Sequence, residues 1–464
     1  MSDLRFEHRM TDSDALMWTI EKDPMLRSTI TSVLVLDQAP DRDRFRALID
    51  RGTRLVPRMR QRVRSNPLSV APPRWEVDPN FDLDFHLRWV RAAGDRSLRS
   101  VLNLAQPIAM QGFDRARPLW ETTVVEDLEG GQAAVIMKIH HAITDGVGAV
   151  KIALVMFELE RDAAAAELPE EPEVHVMNQV ERFVDALQHE RRRTMGMAQR
   201  STGTLRAAVT AAVTDPAGSA RSLVETVQSV ARLTAPASHP MSPAMTGRSL
   251  SVWFDTVTVS VADAKAAARA AHGKLNDAFV AAACLGFRRY HQAVGQPAEQ
   301  LRMSMPINIR DESTQDDAGN QFVPARFPIP LDIEDPAECM RVVHDLVVHE
   351  RGEPALGVVE PLAGILYRLP TSLSTGLFGS MLRGVDVVTS NVPGAPFPIY
   401  TSGSRIETMF AFGPMAGAAA NLTLLSYQDS ALIGVNVDPA AVTDPELFVQ
   451  CYRDGWDDVL KVAG

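Results

Sequence analysis

The stretch that decides the fold is Lys138–Gly148, KIHHAITDGVG. It closes AAVIMKI (Ala133–Ile139), a short apolar run behind a Gly-Gly turn that reads as a buried strand. His140 and His141 stand at the strand end, and Asp145 and Gly146 follow in the turn. With 11 histidines and 28 glycines in 464 residues, a chance HHxxxDG arises roughly once in a thousand such chains. The strand carries its last side chains to a place where they can face a cleft. Asp145 can fold back to fix a ring or the loop, and Gly146 admits a turn geometry closed to other residues. A neutral imidazole, with a pKa of about 6.5, can take a proton from a hydroxyl.

Two adjacent histidines at a strand end are less readily explained as surface or core residues than a lone one. A shared metal ion is disfavoured, because neighbouring strand residues point to opposite faces. The same geometry means that one histidine serves the site while the other packs or holds backbone. No metal is expected, and activity is expected to be indifferent to chelators.

Outward from this point the chain alternates strands and helices. ITSVLVLD (Ile30–Asp37) reads as a strand, DRFRALIDRGTRL (Asp43–Leu55) as a helix, and VGAVKIALVMFELE (Val147–Glu160) as another helix. From Ala163 the character changes to an acidic, proline-bearing stretch. Amphipathic segments around Val180–Leu187, Leu205–Val213 and Leu223–Val230 follow. Beyond Gly247, SVWFDTVTV, LRMSMPINI (Leu301–Ile309), VDVVTSNV (Val385–Val392), LTLLSY (Leu422–Tyr427) and ALIGVNV (Ala431–Val437) read as strands. The last two form a hairpin through Gln428–Ser430. A helix is expected over Asn276–Ala293. These readings give two α/β units, residues 1–162 and 247–464, joined by a helical linker over 163–246.

Composition narrows the function. The chain is 45% hydrophobic, which excludes global disorder. Its net charge of −11 excludes nucleic acid as a main partner. Three sparse cysteines match no zinc or redox motif. The charged N-terminus shows no signal peptide, and no apolar run reaches the ~18 residues of a spanning helix. A cytoplasmic protein is expected. Only six of the 47 basic residues are lysine, which with the abundant alanine suggests a GC-rich, bacterial genome.

HHAITDG matches the HHxxxDG motif of the CoA-dependent acyltransferase superfamily. More of the chain resembles one branch, the bacterial wax ester synthase/diacylglycerol acyltransferase family. RPLWE (Arg117–Glu121), LNDAFVAA (Leu275–Ala282), MPINIRD (Met305–Asp311), GNQ (Gly319–Gln321), SNVPG (Ser390–Gly394) and NLTLLSY are similar to its landmarks, in order. VPRMRQRV, FDLDFHLRWV and Thr246–Arg248 fit as well. The segment before Thr246, HPMSPAM, departs from the Asn-Gly-Pro-type sequence expected there.

The resemblance implies two chloramphenicol-acetyltransferase-like domains, each a mixed sheet with flanking helices, with the site in a channel between them. It implies that His141 is the general base, deprotonating an acceptor hydroxyl that attacks acyl-CoA directly. Diacylglycerol or a long-chain alcohol would be the acceptor, and no cofactor is needed beyond acyl-CoA as substrate. His140, Asp145 and Gly146 would support the site. Asn276 is either an oxyanion donor or an ordinary helix N-cap. Pro118, Leu119 and Trp120 line an acyl channel or simply pack. Ser390, Asn391, Pro393 and Gly394 would lie near the domain interface. Arg191–Arg193, in the amphipathic linker, suit peripheral contact with the inner membrane or lipid droplets, or else a solvated helix face.

Overall fold

The computed structural model describes residues 7–66, 71–143, 156–164, 166–195, 239–308, 322–352 and 359–463. In the first half, α1 (Asp12–Ile20) leads to β1 (Thr29–Leu36) and α2 (Arg42–Leu55). An antiparallel pair, β2 (Gln61–Arg64) and β3 (Arg74–Val77), comes next. Then follow β4 (Leu87–Arg91), α3 (Leu98–Met110), β5 (Trp120–Glu126) and β6 (Ala133–His140). A helix over residues 179–195, α4, precedes the second half.

That half runs β7 (Trp253–Ser260), α5 (Val261–Ala270), α6 (Leu275–Ala293), β8 (Gln300–Asn308), β9 (Phe322–Pro330) and α7 (Pro336–Arg351). It continues with α8 (Val359–Arg368), α9 (Thr371–Leu382), β10 (Val387–Pro393), β11 (Tyr400–Thr401) and β12 (Ser404–Phe412). β13 (Ala420–Tyr427), β14 (Ser430–Val437) and α10 (Pro445–Leu460) complete it.

Local chemistry explains most of these elements. α2 starts where the Asp41 carboxylate accepts the Arg44 N–H, and it buries Phe45 and Ile49 on one face. β13 and β14 are apolar on both faces because both are buried, and they turn through Gln428–Asp429 with Gln428 at φ 51°.

Two six-stranded mixed sheets result. One has the order β7-β14-β13-β10-β8-β9. The other has the order β11-β12-β1-β6-β5-β4. A boundary at residue 247 therefore does not separate the sheets. β11 and β12 come from the second half, yet β12 lies antiparallel on β1, with Val33 opposite Phe410. The open edge of β1 is paired in this way rather than left bare.

The linker reading also changes. Residues 166–178 are not helical. They lie against α2, where Arg51 donates to the Glu167 carbonyl and Arg54 to the Pro169 carbonyl. α4 is helical, as its spacing predicts, but it is docked rather than free. Asp185 pairs with Arg9 and Arg74, and Arg193 with Asp12. The segments Leu205–Val213 and Leu223–Val230 lie outside the described residues, as does Val147–Val155 of the expected helix after the histidines.

Candidate active site

β6 delivers the histidine pair. It lies between β1 and β5, buried over Ala133–Ile136, and near its C-terminal end Ile139 stands opposite both Ile30 and Trp120. At the strand end the two rings diverge. His140 is 1% exposed, whereas His141 is half-buried.

Every polar atom of His140 has a partner. Its N–H donates to the Leu119 carbonyl at 3.0 Å, and its carbonyl accepts the Ile143 N–H at 3.0 Å. Nδ1 accepts the Ala142 N–H at 2.9 Å, which leaves the ring proton on Nε2. Nε2 lies 2.9 Å from Oε1 of Glu21, at the C-cap of α1. Trp18 and Phe113 meet the ring edge-on, with centroids at 5.6 and 6.0 Å. His140 thus packs and holds backbone. The His141 N–H donates to the Ser28 carbonyl at 2.8 Å.

Burial pushes the Glu21 carboxyl up, but the His140 ring, the Ser28 N–H and Arg115 outweigh it and hold the group below the usual carboxylate range. The turn after the histidines has a second clamp. Arg58, fully buried, donates to the carbonyls of Ala142 and Ile143 at 3.2 and 2.8 Å. Burial lowers the Arg58 pKa, opposed by Asp14 and Glu7. Asp145 and Gly146 lie outside the described residues.

Pro118, Leu119 and Trp120 form the strand entry beside His140, and all three are buried. The Trp120 indole donates to the Met59 carbonyl at 2.7 Å. His86 stacks on the same indole at 4.6 Å and donates from Nδ1 to the Trp120 carbonyl at 2.7 Å. VPRM, DFH, PLW and HH, separated along the chain, therefore meet in one packed cluster.

Asn276 sits inside the first turn of α6, which corrects the N-cap reading. The cap is Lys274, whose N–H donates to the Asp277 carboxylate at 2.7 Å. Asp277, 2% exposed, is also held by His344 Nδ1 at 2.8 Å. The helix begins one residue earlier than expected, so the acid at the third position does the capping. The Asn276 amide lies 3.8 Å from the Met305 sulfur.

Ser390, Asn391 and Pro393 lie on β10, parallel to β13, opposite Thr423, Leu424 and Ser426. Gly394 follows; a Cβ there would stand 2.1 Å from the Ser426 carbonyl oxygen, so only glycine fits. These residues belong to the sheet that holds β10 and β13, and the histidines to the sheet that holds β1 and β6. Between the sheets a cleft is lined by Arg27, Thr29, Thr31 and Phe412 on one side and by Phe254 and Asn436 on the other. Thr29 is the β1 residue opposite His140.

Sequence reasoning missed Glu21, Ser28 and Arg58 as parts of the site. Only Arg58 lay in a landmark segment. Glu21 and Ser28 carry no pattern that a single sequence displays.

Residues 10–279 match the model of the wax ester synthase/diacylglycerol acyltransferase catalytic domain, and residues 318–458 match the C-terminal domain of the same family. A Mycobacterium tuberculosis protein, provisionally named a diacylglycerol O-acyltransferase, is 35% identical over 460 residues, covering 99% of this chain and 93% of its own. A second protein from that organism, named in the same way, is 27% identical over 469 residues, covering 98% and 97%. Among solved structures, the wax ester synthase/diacylglycerol acyltransferase of Marinobacter aquaeolei aligns with a TM-score of 0.64 at 19% identity, over 99% of this chain and all of that one. The first condensation domain of the calcium-dependent antibiotic synthetase aligns at 0.61 and 14%, over 99% and 97%. These two similarities concern the fold.

Proposed function

Because the chain belongs to the wax ester synthase/diacylglycerol acyltransferase family, and is thus an acyltransferase, we propose that it moves a long-chain acyl group from acyl-CoA to diacylglycerol, a long-chain alcohol, or both. One observation carries this reading. The ring of His140 is buried and engaged by Glu21 and Ala142, while His141, next along the chain, is only half-buried.

His141 takes the proton of the acceptor hydroxyl as its oxygen attacks the thioester carbonyl carbon. The tetrahedral oxyanion collapses, the C–S bond breaks, and the departing thiolate of CoA recovers the proton from His141. Fixed donors must meet the oxyanion, and Asn276, at the N-terminal turn of α6, is the candidate. No acyl-enzyme and no further cofactor enter the scheme. Among the described residues no helix is long and apolar enough to cross a membrane. Insoluble acceptors and products are best served by peripheral attachment to the inner membrane or to lipid droplets.

The test is thiol release from palmitoyl-CoA with diacylglycerol, with hexadecanol and with no acceptor, the lipid product being identified in each case. Acceptor-dependent release yielding triacylglycerol or wax ester supports the proposal. Release with neither lipid, but with an amine or another alcohol, points to a superfamily relative with a different acceptor. No release with any acceptor points to a lipid-binding member without turnover.

A further inference from the structure

We propose that Glu21 is a positioning residue for acyl transfer, fixing the backbone of His141 from both sides through a single carboxylate oxygen. The proposal rests on His141 being the base. Glu21 Oε1 accepts the Ser28 N–H and faces His140 Nε2 at 2.9 Å. Each contact leads to the catalytic backbone by one further hydrogen bond. Ser28 passes the restraint on through its carbonyl, which holds the His141 N–H at 2.8 Å. His140 passes it on through Nδ1, which holds the Ala142 N–H at 2.9 Å. The peptide N–H groups on either side of the His141 α-carbon, those of His141 and Ala142, are thereby referred to the same atom, at the end of α1.

The arrangement has a definite proton pattern. Nδ1 of His140 is an acceptor, so Nε2 carries the hydrogen and donates it to Glu21. The ring is a spacer of fixed tautomer and takes no part in proton transfer with substrate. Glu21 itself is held ready. Arg115 lies over the Trp18 ring at 4.0 Å and donates to the Trp18 carbonyl at 3.3 Å, which keeps positive charge near the carboxylate. Trp18 in turn meets His140 edge-on. Geometry and not net charge is what Glu21 supplies, because the oxygen that accepts both N–H groups is one that a glutamine side chain also has.

A misplaced base loses rate far more readily than affinity, with an ångström worth up to about 100-fold. Glu21→Ala, Glu21→Gln and Glu21→Asp are compared with the wild type and with His141→Ala by thiol release from palmitoyl-CoA, with kcat and KM separated and folded content followed by circular dichroism. In Glu21→Ala, kcat is expected to fall by about 10- to 100-fold, with KM for acyl-CoA within about twofold. Glu21→Gln should recover most of kcat. Glu21→Asp, which keeps the charge but withdraws the oxygen by one methylene, should recover little. The Gln and Asp pair decides the matter even if Glu21→Ala does not fold. Wild-type kcat in Glu21→Ala, a loss confined to KM, or Asp outperforming Gln overturns the proposal. An active His141→Ala protein would instead overturn the reading of the base, so the two failures are distinguishable.

Discussion

Phe254 of β7 and Phe412 of β12 stack with ring centroids 4.1 Å apart and planes at 14°. This contact joins the edge strand of one sheet to the strand that crosses into the other. Gly434 of β14 shows how close the sheets come: a Cβ there would stand 2.0 Å from the Ala411 carbonyl oxygen. The crossing strand, pressed between β1 and β14, is therefore what holds the two halves in register around the cleft.

Substitution at this junction should cost stability before it costs chemistry. Phe412→Ala removes a fully buried ring and is expected to cost about 3–5 kcal/mol. Gly434→Ala must push backbone aside and should be at least as damaging. Thermal melts check both. A melting temperature unchanged in Gly434→Ala would show that the sheets are not in contact as described.

His140→Ala should behave as a structural lesion. It leaves the Ala142 N–H and the buried Glu21 carboxylate without their partner, a cost of about 1–3 kcal/mol. Chemical denaturation should show the midpoint falling, with activity falling in step. A His140→Ala protein of wild-type stability but no activity, beside a His141→Ala protein that stays active, would mean that His140 and not His141 is the base.

Lys138, two residues before His140, is fully buried, with Nζ 3.9 Å from Glu121 and 4.4 Å from the Phe113 ring. Burial lowers its pKa, with Arg27 and Arg88 adding to the effect and Glu121 opposing it. The folded state then holds this proton less well than the unfolded chain, so stability rises with pH towards the free-lysine value of about 10.4. Lys138→Met should flatten that rise and lift the melting temperature at neutral pH by about 2–4 °C, since Glu121 keeps Arg88 at 2.8 Å. A fall in melting temperature would show that the ammonium is a net stabiliser.

The arginine run of α4 divides in two. Arg193 is committed to Asp12 at 2.5 Å, while Arg191 and Arg192 are exposed. Replacing Arg191 and Arg192 with Gln should reduce sedimentation with anionic liposomes and weaken its salt dependence, sparing turnover on detergent-dispersed substrate. Unchanged liposome binding would make this face an ordinary solvated one.

What the sequence displayed was periodicity and motif. β1, β6, β7, β13 and β14 were legible because apolar runs bounded by turn residues leave few other readings. SRIETMFAF shows no sign of which sheet it joins, since pairing with β1 is a long-range choice made by the tertiary fold. The same limit hid the site's supports. Arg58 touches Ala142 and Ile143 across more than 80 residues, and Glu21 reaches His140 across 119. Asn276 read as a possible cap, and only the observed helix start, one residue earlier, gives the capping to Lys274 and Asp277.

The most direct test of the central claim is thiol release by His141→Ala, compared with the wild type at equal folded content. General base catalysis is worth about 10²- to 10⁴-fold, and a loss in that range with the fold intact is the expected result. A His141→Ala protein that passes the acyl group to acceptor, with release of CoA, at the wild-type rate would contradict the account.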